Sequence, residues 1–220
     1  MAGRARLVLV RHGETVGHSS IRYYGRTDVA LSGLGRRQMA AVREWLSAQE
    51  GTMPFAAVFA SPLVRATEAA RIIAGRDALI IEIAELAEID FGLFEGLTAE
   101  EIAERYPEEY RRWDANRLAP ELVYPEGESR AAFVRRVGRG MARMFAAWED
   151  LRAKNRLNTV ALMVAHRGVI RAVVRQLSGI LEPRIDLASI HILEENSRPG
   201  TDLHLAQWRP VALDLIEHLG

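Results

Sequence analysis

Short apolar runs alternate along the chain with longer segments whose apolar residues recur at helical spacing. Residues 7–10, 56–60, 79–83 and 159–165 are rich in Val, Ile, Leu and Ala, which is typical of short strands buried on both faces. Between these runs, apolar residues lie three or four positions apart, as on one face of a helix. The alternation predicts an α/β fold with a mainly parallel central sheet covered by helices.

Capping signals and spacing define two helices in the first third of the chain. Ser32 is the expected N-cap of a helix that runs to about Gln49. Pro62 follows the second apolar run, and proline suits the first turn of a helix, while Gly75 suits its end. We therefore expect the second helix between Pro62 and Gly75.

The second half of the chain predicts two further helices and two strands. A long helix is expected at about residues 129–154, and a shorter one over residues 169–177. Residues 189–193 and 203–208 alternate in polarity and predict two strands, which we interpret as a hairpin at the sheet edge. The apolar stripe of the long helix consists of Phe133, Val137, Met141, Phe145 and Trp148.

Between residues 91 and 128 the sequence gives no clear strand signal. Thr98-Ala99-Glu100-Glu101 is a capping box that predicts a short helix ending near Pro107, and residues 120–129 are dense in turn formers. We interpret residues 91–128 as a lid-like insertion over the sheet edge, within a single domain that spans residues 1–220.

Composition narrows the class of protein. The 220 residues carry 29 Lys and Arg and 29 Asp and Glu, so a general positive field for nucleic-acid binding is not expected. There is no cysteine, which excludes disulfides, thiolate metal ligands and a cysteine nucleophile. The chain shows neither a signal-peptide core nor a run of about 20 apolar residues. We therefore expect a cytoplasmic protein that binds neither membranes nor nucleic acids.

Five residues could form a site for phosphoryl transfer. His12 and His166 each follow an apolar strand, and the carboxyl ends of parallel strands meet at one edge of a sheet. His12 is the candidate nucleophile, and His166 would donate to phosphoryl oxygens. Arg11 and Arg65 carry planar guanidinium forks that match phosphate oxygens and would keep His12 neutral. Glu88 is the candidate acid for the leaving oxygen and base towards water.

Two other interpretations of these residues are less favoured. Two histidines with acids could suggest a metal site, but two guanidinium groups in the same pocket repel a divalent cation. The run Tyr110-Arg111-Arg112-Trp113 could suggest nucleic-acid binding, but the acidic residues beside it favour a solvated helix face or a lid. We therefore expect no metal and no cofactor.

The motifs resemble those of the histidine phosphatase superfamily, which includes the phosphoglycerate mutases. They occur in the family's order over roughly residues 6 to 175. The matching segments are Arg11-His12-Gly13-Glu14, Ser61-Pro62-Leu63-Val64-Arg65-Ala66, Glu88 with Phe91-Gly92 and Glu95-Gly96, and Val164-Ala165-His166 with Val169-Ile170-Arg171.

The resemblance implies a three-layer α/β/α sandwich and a phosphohistidine intermediate formed without metal. The resemblance also implies that the loop after the first strand binds phosphate or substrate, and the candidate residues in this loop are Thr15, His18 and Gly25. The family usually has Asn at the position of His18, and a glycine at the position of Arg167. Arg167 either adds a third cation to the pocket or points outward.

Residues 91–96 and 125–129 look like the phosphatase branch of the family. This similarity implies a phosphomonoesterase that acts on small phosphorylated metabolites. The oligomeric state stays open between a monomer and a homodimer. A phosphoglycerate mutase that is primed by 2,3-bisphosphoglycerate is the second candidate, because mutases share the five core residues. A third candidate, of another class, is a binding or regulatory protein without turnover.

Overall fold

The computed structural model describes residues 4–49, 52–117, 119–154, 159–196, 202, 204 and 207–219. Six strands form its central sheet. In chain order they are β1 (Arg6–Arg11), β2 (Ala57–Ala60), β3 (Ile80–Glu82), β4 (Val160–Ala165), β5 (Ile190–Glu195) and β6 (Trp208–Leu215). Their order across the sheet is β3-β2-β4-β1-β5-β6.

Helices connect these strands. They are α1 (Gly33–Ala48), α2 (Val64–Ala74), α3 (Ala99–Arg105), α4 (Pro107–Asn116), α5 (Arg130–Lys154) and α6 (Arg167–Ser178). Short 3₁₀ helices cover Ala84–Leu86, Gly92–Phe94 and Glu217–Leu219. None of the helices in the described part of the chain is long and apolar enough to cross a membrane.

The pairing confirms a mainly parallel sheet. β3, β2, β4 and β1 are parallel neighbours, whereas β5 pairs antiparallel with β1, and β6 pairs antiparallel with β5. Parallel strands need long crossover connections, and here these are the helical segments. The carboxyl ends of β1, β2 and β4 consequently lie at the same edge of the sheet.

Both faces of the sheet are covered, which confirms the three-layer α/β/α sandwich. Leu7 and Leu9 of β1 belong to the core cluster with α5 and α6, and Val8 and Val10 belong to the cluster with α1 and α2. Successive side chains of a strand point to opposite faces, so a strand between two helical layers needs apolar residues throughout. The predicted apolar stripe of α5 is buried in the first of these clusters.

The last strand lies further along the chain than the alternation predicts. Residues 203, 205 and 206 of the predicted strand are outside the described residues, and β6 runs from Trp208 to Leu215. Pro210 within it weakens the strand signal, because proline cannot donate to a ladder. At the outside of the sheet, where β6 has one neighbour only, this loss is tolerated.

The second helix also begins later than expected. Pro62 precedes the N-cap Leu63, and α2 starts at Val64, so the prediction that Pro62 lies in its first turn is wrong. The Ser61 Oγ accepts from the backbone N–H of Leu63, which holds residues 61–63 in a turn before the helix. Gly75 ends α2 with a φ of 103° and donates to the carbonyl of Arg71, as the sequence predicts.

In the described part of residues 91–128, the chain forms α3 and α4 and no strand longer than an isolated bridge. The Thr98 side chain accepts from the backbone N–H of Glu101, and the Glu101 side chain accepts from that of Thr98, so the predicted capping box is confirmed. Phe94 and Ile102 are buried in the core cluster on the α5 side, and Trp113 packs against it.

The first turn of α1 packs closely against the loop that leaves β1. An ideal Cβ on Gly35 would lie 1.9 Å from the Glu14 carbonyl oxygen, and one on Gly13 would lie 2.7 Å from the Gly35 carbonyl oxygen. Ser32 caps the helix by accepting from the Gly35 backbone N–H, and its own N–H donates to the Glu14 carbonyl. The two glycines therefore allow α1 to hold the loop that follows His12.

We expect Gly35→Ala to lower the free energy of unfolding by about 1–3 kcal/mol, because a methyl group there overlaps backbone that cannot move freely. The measurement is urea unfolding followed by circular dichroism. Gly33→Ala is the matched control in the same helical turn, since a Cβ there meets only Arg37 Nη1 at 3.7 Å. The control should keep or slightly raise the stability, and equal stability of the two variants would contradict the prediction.

Candidate active site

The pairing of β1 with β4 brings the two predicted histidines together. Arg11 is in register with Ala165, and the next backbone N–H, that of His12, donates to the Ala165 carbonyl at 3.2 Å. His12 and His166 are both buried, and their ring centroids are 5.1 Å apart at an interplanar angle of 64°. Two imidazoles thus share the carboxyl edge of the sheet.

The ring of His12 is held in the tautomer that a nucleophile requires. Its Nδ1 lies 2.8 Å from the Gly13 carbonyl oxygen, which can only accept, so Nδ1 carries the hydrogen. Burial lowers the pKa of His12 well below 6.5, and the charges of Arg65 and Arg11 lower it further. The ring is consequently neutral, with a free electron pair on Nε2.

His166 has the opposite tautomer. Arg65 Nε donates to its Nδ1 at 3.3 Å, so the hydrogen of the neutral ring is on Nε2, which donates to Ser61 Oγ at 2.7 Å. Burial, and then the charge of Arg65, lower the pKa of His166 well below 6.5. Sequence reasoning did not assign Ser61 a role, although its position directly after β2 places it at this same edge.

Arg65 is fully buried, and most of its N–H groups are already engaged. Besides its bond to His166, the guanidinium donates to the carbonyl oxygens of Thr27 at 2.8 Å, Tyr24 at 3.0 Å and Gly25 at 2.7 Å. These bonds leave one N–H for a phosphoryl oxygen, rather than the two expected from the sequence. Burial lowers the pKa of Arg65. The residue fixes the loop after β1 as well as supplying charge.

Arg11 has more free donors. Its Nη1 donates to the Ile185 carbonyl at 3.2 Å, whereas its buried Nε has no hydrogen-bond partner among the described residues. Burial, and then the nearby charge of Arg167, lower the pKa of Arg11 to about 9, so the guanidinium is still charged at neutral pH. A buried cation with an unpartnered N–H is suited to an anionic ligand.

Glu88 lies against the first turn of α6. Its Oε2 accepts from the Gly168 backbone N–H at 2.9 Å, and its Oε1 accepts from that of Ile89 at 3.0 Å. An ideal Cβ on Gly168 would lie 2.4 Å from Glu88 Oε1, so the absence of a side chain there makes room for the carboxyl group. Glu88 is buried and borders the same cavity as His12.

The turn that carries Glu88 is fixed by Arg136 of α5, a residue that sequence reasoning did not single out. Arg136 donates to the carbonyl oxygens of Glu85 and Ala87, both at 2.8 Å, and of Glu88 at 3.2 Å. It also forms two bonds to the Glu128 carboxylate, at 2.7 and 3.0 Å. The position of Arg136 on a long helix does not predict these contacts, because they depend on tertiary packing.

A cavity of about 610 Å³ opens over this site. Arg11, His12 and Glu88 border it, and so does Arg167, which therefore turns towards the pocket rather than away from it. Its walls include parts of the loop after β1, one side of α6 and six residues between these elements in the chain, namely Trp113, Arg117, Tyr124, Arg130, Phe133 and Val134. Six Phe, Tyr and Trp side chains border the cavity, namely Tyr23, Tyr24, Phe91, Trp113, Tyr124 and Phe133.

The three other predicted ligands of phosphate lie in the loop after β1. The Thr15 hydroxyl is buried and accepts from the Ser19 backbone N–H. His18 is exposed, with a φ of 66°, and does not border the cavity. Gly25 contributes its carbonyl to Arg65, and its N–H donates to Glu95 Oε2 at 3.2 Å. In this structure the three residues shape the loop rather than facing the cavity.

The arrangement is chemically suited to moving a phosphoryl group. Arg11, His12 and Glu88 border one cavity, and His166 lies against the ring of His12 and accepts from the buried Arg65. Phosphoryl transfer needs these functions: a nucleophile, charge neutralisation and a proton donor for the leaving oxygen. Among the described residues, no group of three or more His, Asp or Glu side chains is placed to hold a metal ion.

Comparison with known proteins agrees with this geometry. The model of the histidine phosphatase superfamily (branch 1) matches residues 7–204. A bifunctional protein of Mycobacterium tuberculosis is 37% identical over 195 residues, which are 86% of this chain and 50% of that protein. The chain therefore spans about half the length of this curated relative.

Two further proteins match over nearly their whole length. Phosphoserine phosphatase 1 of Hydrogenobacter thermophilus is 29% identical over 96% of this chain and 91% of its own. The structure of a mycobacterial glucosyl-3-phosphoglycerate phosphatase superposes with a TM-score of 0.78 at 26% identity, covering 96% of this chain and 99% of the other.

The low pKa values of the buried histidines predict a specific dependence of stability on pH. Below pH 6.5 the unfolded chain binds protons on His12 and His166 that the folded protein does not bind, so stability falls as the pH falls. We expect a loss of about 1 kcal/mol per pH unit for each such histidine between pH 6 and 5. Urea unfolding at a series of pH values measures this slope.

His12→Ala should reduce that slope by about 1 kcal/mol per pH unit, because it removes one of these groups. Above pH 7.5 the pH dependence of the variant and of the wild type should be the same, which serves as the internal control. An unchanged slope between pH 6 and 5 would show that His12 is protonated in the folded protein.

Proposed function

The chain belongs to the histidine phosphatase superfamily, branch 1, and we propose that it hydrolyses phosphate monoesters of small metabolites by way of a phosphohistidine. The main observation in support is the bond from His12 Nδ1 to the Gly13 carbonyl, which leaves Nε2 free beside two buried arginines. Two similar proteins that match over more than nine-tenths of their length are named as phosphatases.

In the first step, Nε2 of His12 attacks the phosphorus atom of the ester, and the bond from phosphorus to the ester oxygen breaks. The carboxyl group of Glu88 gives its proton to the departing oxygen, so an alcohol leaves rather than an alkoxide. Arg11 and Arg65 balance the charge on the phosphoryl oxygens, and the Nε2–H of His166, which donates to Ser61 Oγ in this structure, would be the further donor to these oxygens.

In the second step, the Glu88 carboxylate takes a proton from water, and the resulting hydroxide attacks the phosphorus of the phosphohistidine. The bond to Nε2 breaks, which releases inorganic phosphate and restores neutral His12. Glu88 is again protonated, so the cycle closes without a metal or a redox partner. The bonds from Gly168 and Ile89 keep the carboxyl group beside the cavity throughout.

The volume and the wall of the cavity limit which substrates fit. Its volume of about 610 Å³ is in the range of sites for small molecules. Residues 91–128 supply Phe91, Trp113 and Tyr124 to its wall, and we propose that this insertion covers the bound metabolite as a lid. We also propose that the loop that carries Thr15, His18 and Gly25 lies beside the phosphoryl group of the bound substrate. We also propose a cytoplasmic location, and a homodimer is the alternative to a monomer.

His12→Ala should lower kcat for p-nitrophenyl phosphate about a thousandfold or more, because the nucleophile is lost. The measurement is steady-state phosphate release without added metal, on p-nitrophenyl phosphate and a panel of phosphorylated metabolites. Brief mixing of the wild type with a labelled substrate, followed by an alkaline quench, should trap an acid-labile phosphohistidine that His12→Ala lacks.

Two results would replace this proposal with one of its alternatives. Rapid isomerisation of 3-phosphoglycerate in the presence of 2,3-bisphosphoglycerate, with little phosphate release, would establish a mutase. Phosphate release no faster than in His12→Ala, with no phosphoenzyme from any donor, would favour a binding protein.

Gly168→Ala should lower kcat about tenfold to a hundredfold, because its methyl group overlaps the position of the Glu88 carboxyl group. Gly138→Ala on α5 is the control, since a Cβ there meets Gln176 only at 3.8 Å. Steady-state kinetics and urea unfolding should show a loss of kcat for Gly168→Ala and full activity for the control. A Gly168→Ala enzyme with normal kcat would remove Glu88 from the proposed proton transfer.

A further inference from the structure

Three arginines lie in a row along α6. Arg167, Arg171 and Arg175 are four residues apart, so their side chains leave the same face of the helix. All three border the cavity that contains His12 and Glu88. With a rise of 1.5 Å per residue, the row extends about 12 Å along the helix axis, starting at the residue next to His166.

The row is poorly neutralised by the protein itself. No hydrogen bond or ion pair joins the side chain of Arg167 or Arg175 to another residue in the described part of the chain. Arg171 lies at 4.0 Å from Glu182, which is the outer limit of an ion pair, and Glu182 is exposed. Helix α6 contains no acidic residue. The cavity therefore has more positive charge than its own carboxylates balance.

This arrangement does not stabilise the helix. Like charges four residues apart repel each other, and a cation at the first position of a helix opposes the helix dipole. Only Arg175, in the last turn, is placed favourably for the dipole. The charge of Arg167 also lowers the pKa of Arg11, which shows how close the row comes to the catalytic cations. A solvated surface helix would normally mix both signs of charge.

We propose that Arg171 and Arg175 form a subsite for a second anionic group of the substrate, and that Arg167 links this subsite to the reacting phosphate. The inference rests on the proposed phosphatase function and narrows its substrate class. The preferred substrates are phosphomonoesters that carry another phosphate or a carboxylate at the far end of a small molecule.

The walls of the cavity agree with this class of ligand. Two other cations of the cavity wall have partners: Arg130 donates to the carbonyl oxygens of Ala119 and Arg117, and Arg22 is paired with Glu101 at 2.5 Å. These two cations are already engaged, so the row on α6 adds its charge to that of Arg11 and Arg117, which also border the cavity. The aromatic side chains that border the cavity would contact the carbon skeleton that joins the two anionic groups.

Binding to His12→Ala protein, measured by calorimetry, tests the subsite without turnover. Two matched pairs of ligands are compared: fructose 1,6-bisphosphate with fructose 6-phosphate, and 6-phosphogluconate with glucose 6-phosphate. In at least one pair, the ligand with two anionic groups should bind about tenfold tighter than its partner. The pair that shows this difference tells whether the second group is a phosphate or a carboxylate.

Adding Arg171→Gln and Arg175→Gln should abolish that tenfold difference, whereas Arg171→Lys with Arg175→Lys should keep most of it. Arg37→Gln with Arg76→Gln is the matched control, because both residues are exposed and lie on or next to the helices on the other face of the sheet. The subsite is refuted if neither pair of ligands is discriminated, or if the glutamine variants and the control lose the same discrimination. Phosphate release by the wild type tests the phosphatase proposal separately.

Discussion

The parallel pairing of β1 with β4 is the contact on which the rest of the site depends. It fixes His12 and His166 side by side, because each is the first residue after its strand. β2 pairs with the other side of β4 and so brings Ser61 to the same edge, where it accepts from His166. The chemistry is therefore assembled from residues more than 150 positions apart, by a register that apolar burial on both faces of the sheet enforces.

Burial of cations is the main energetic cost of this site, and backbone carbonyl groups offset part of it. Arg65 is surrounded by the loop that it organises, and each of its bonds to Tyr24, Gly25 and Thr27 replaces a bond to water. The neutral state of both histidines follows from the same surroundings, since an imidazolium would be a further buried charge beside two guanidinium groups. A single arrangement thus keeps the candidate nucleophile His12 unprotonated and its surroundings positively charged.

The sequence predicted the parts of this structure that depend on local patterns. The strands β1 and β4, the cap at Ser32, the capping box at Thr98 and the meeting of His12 with His166 follow from periodicity, capping and the geometry of parallel sheets. Contacts made across the fold could not be predicted in this way. The bonds of Arg65 to three backbone carbonyl oxygens and the orientation of Arg167 depend on how loops pack. Arg136, too, is recognisable only once α5 lies beside the turn of Glu88.

The two outer strands limit how this sheet can associate with other chains. β3 has only three residues, and β6 contains Pro210 and departs from regular pairing with β5 near Ile192. A short edge strand and an edge interrupted by proline are poor templates for adding a strand from another molecule. Growth of the sheet into an intermolecular β-structure is thus disfavoured at both ends. The helical layers are left as the broad surfaces through which two copies could meet.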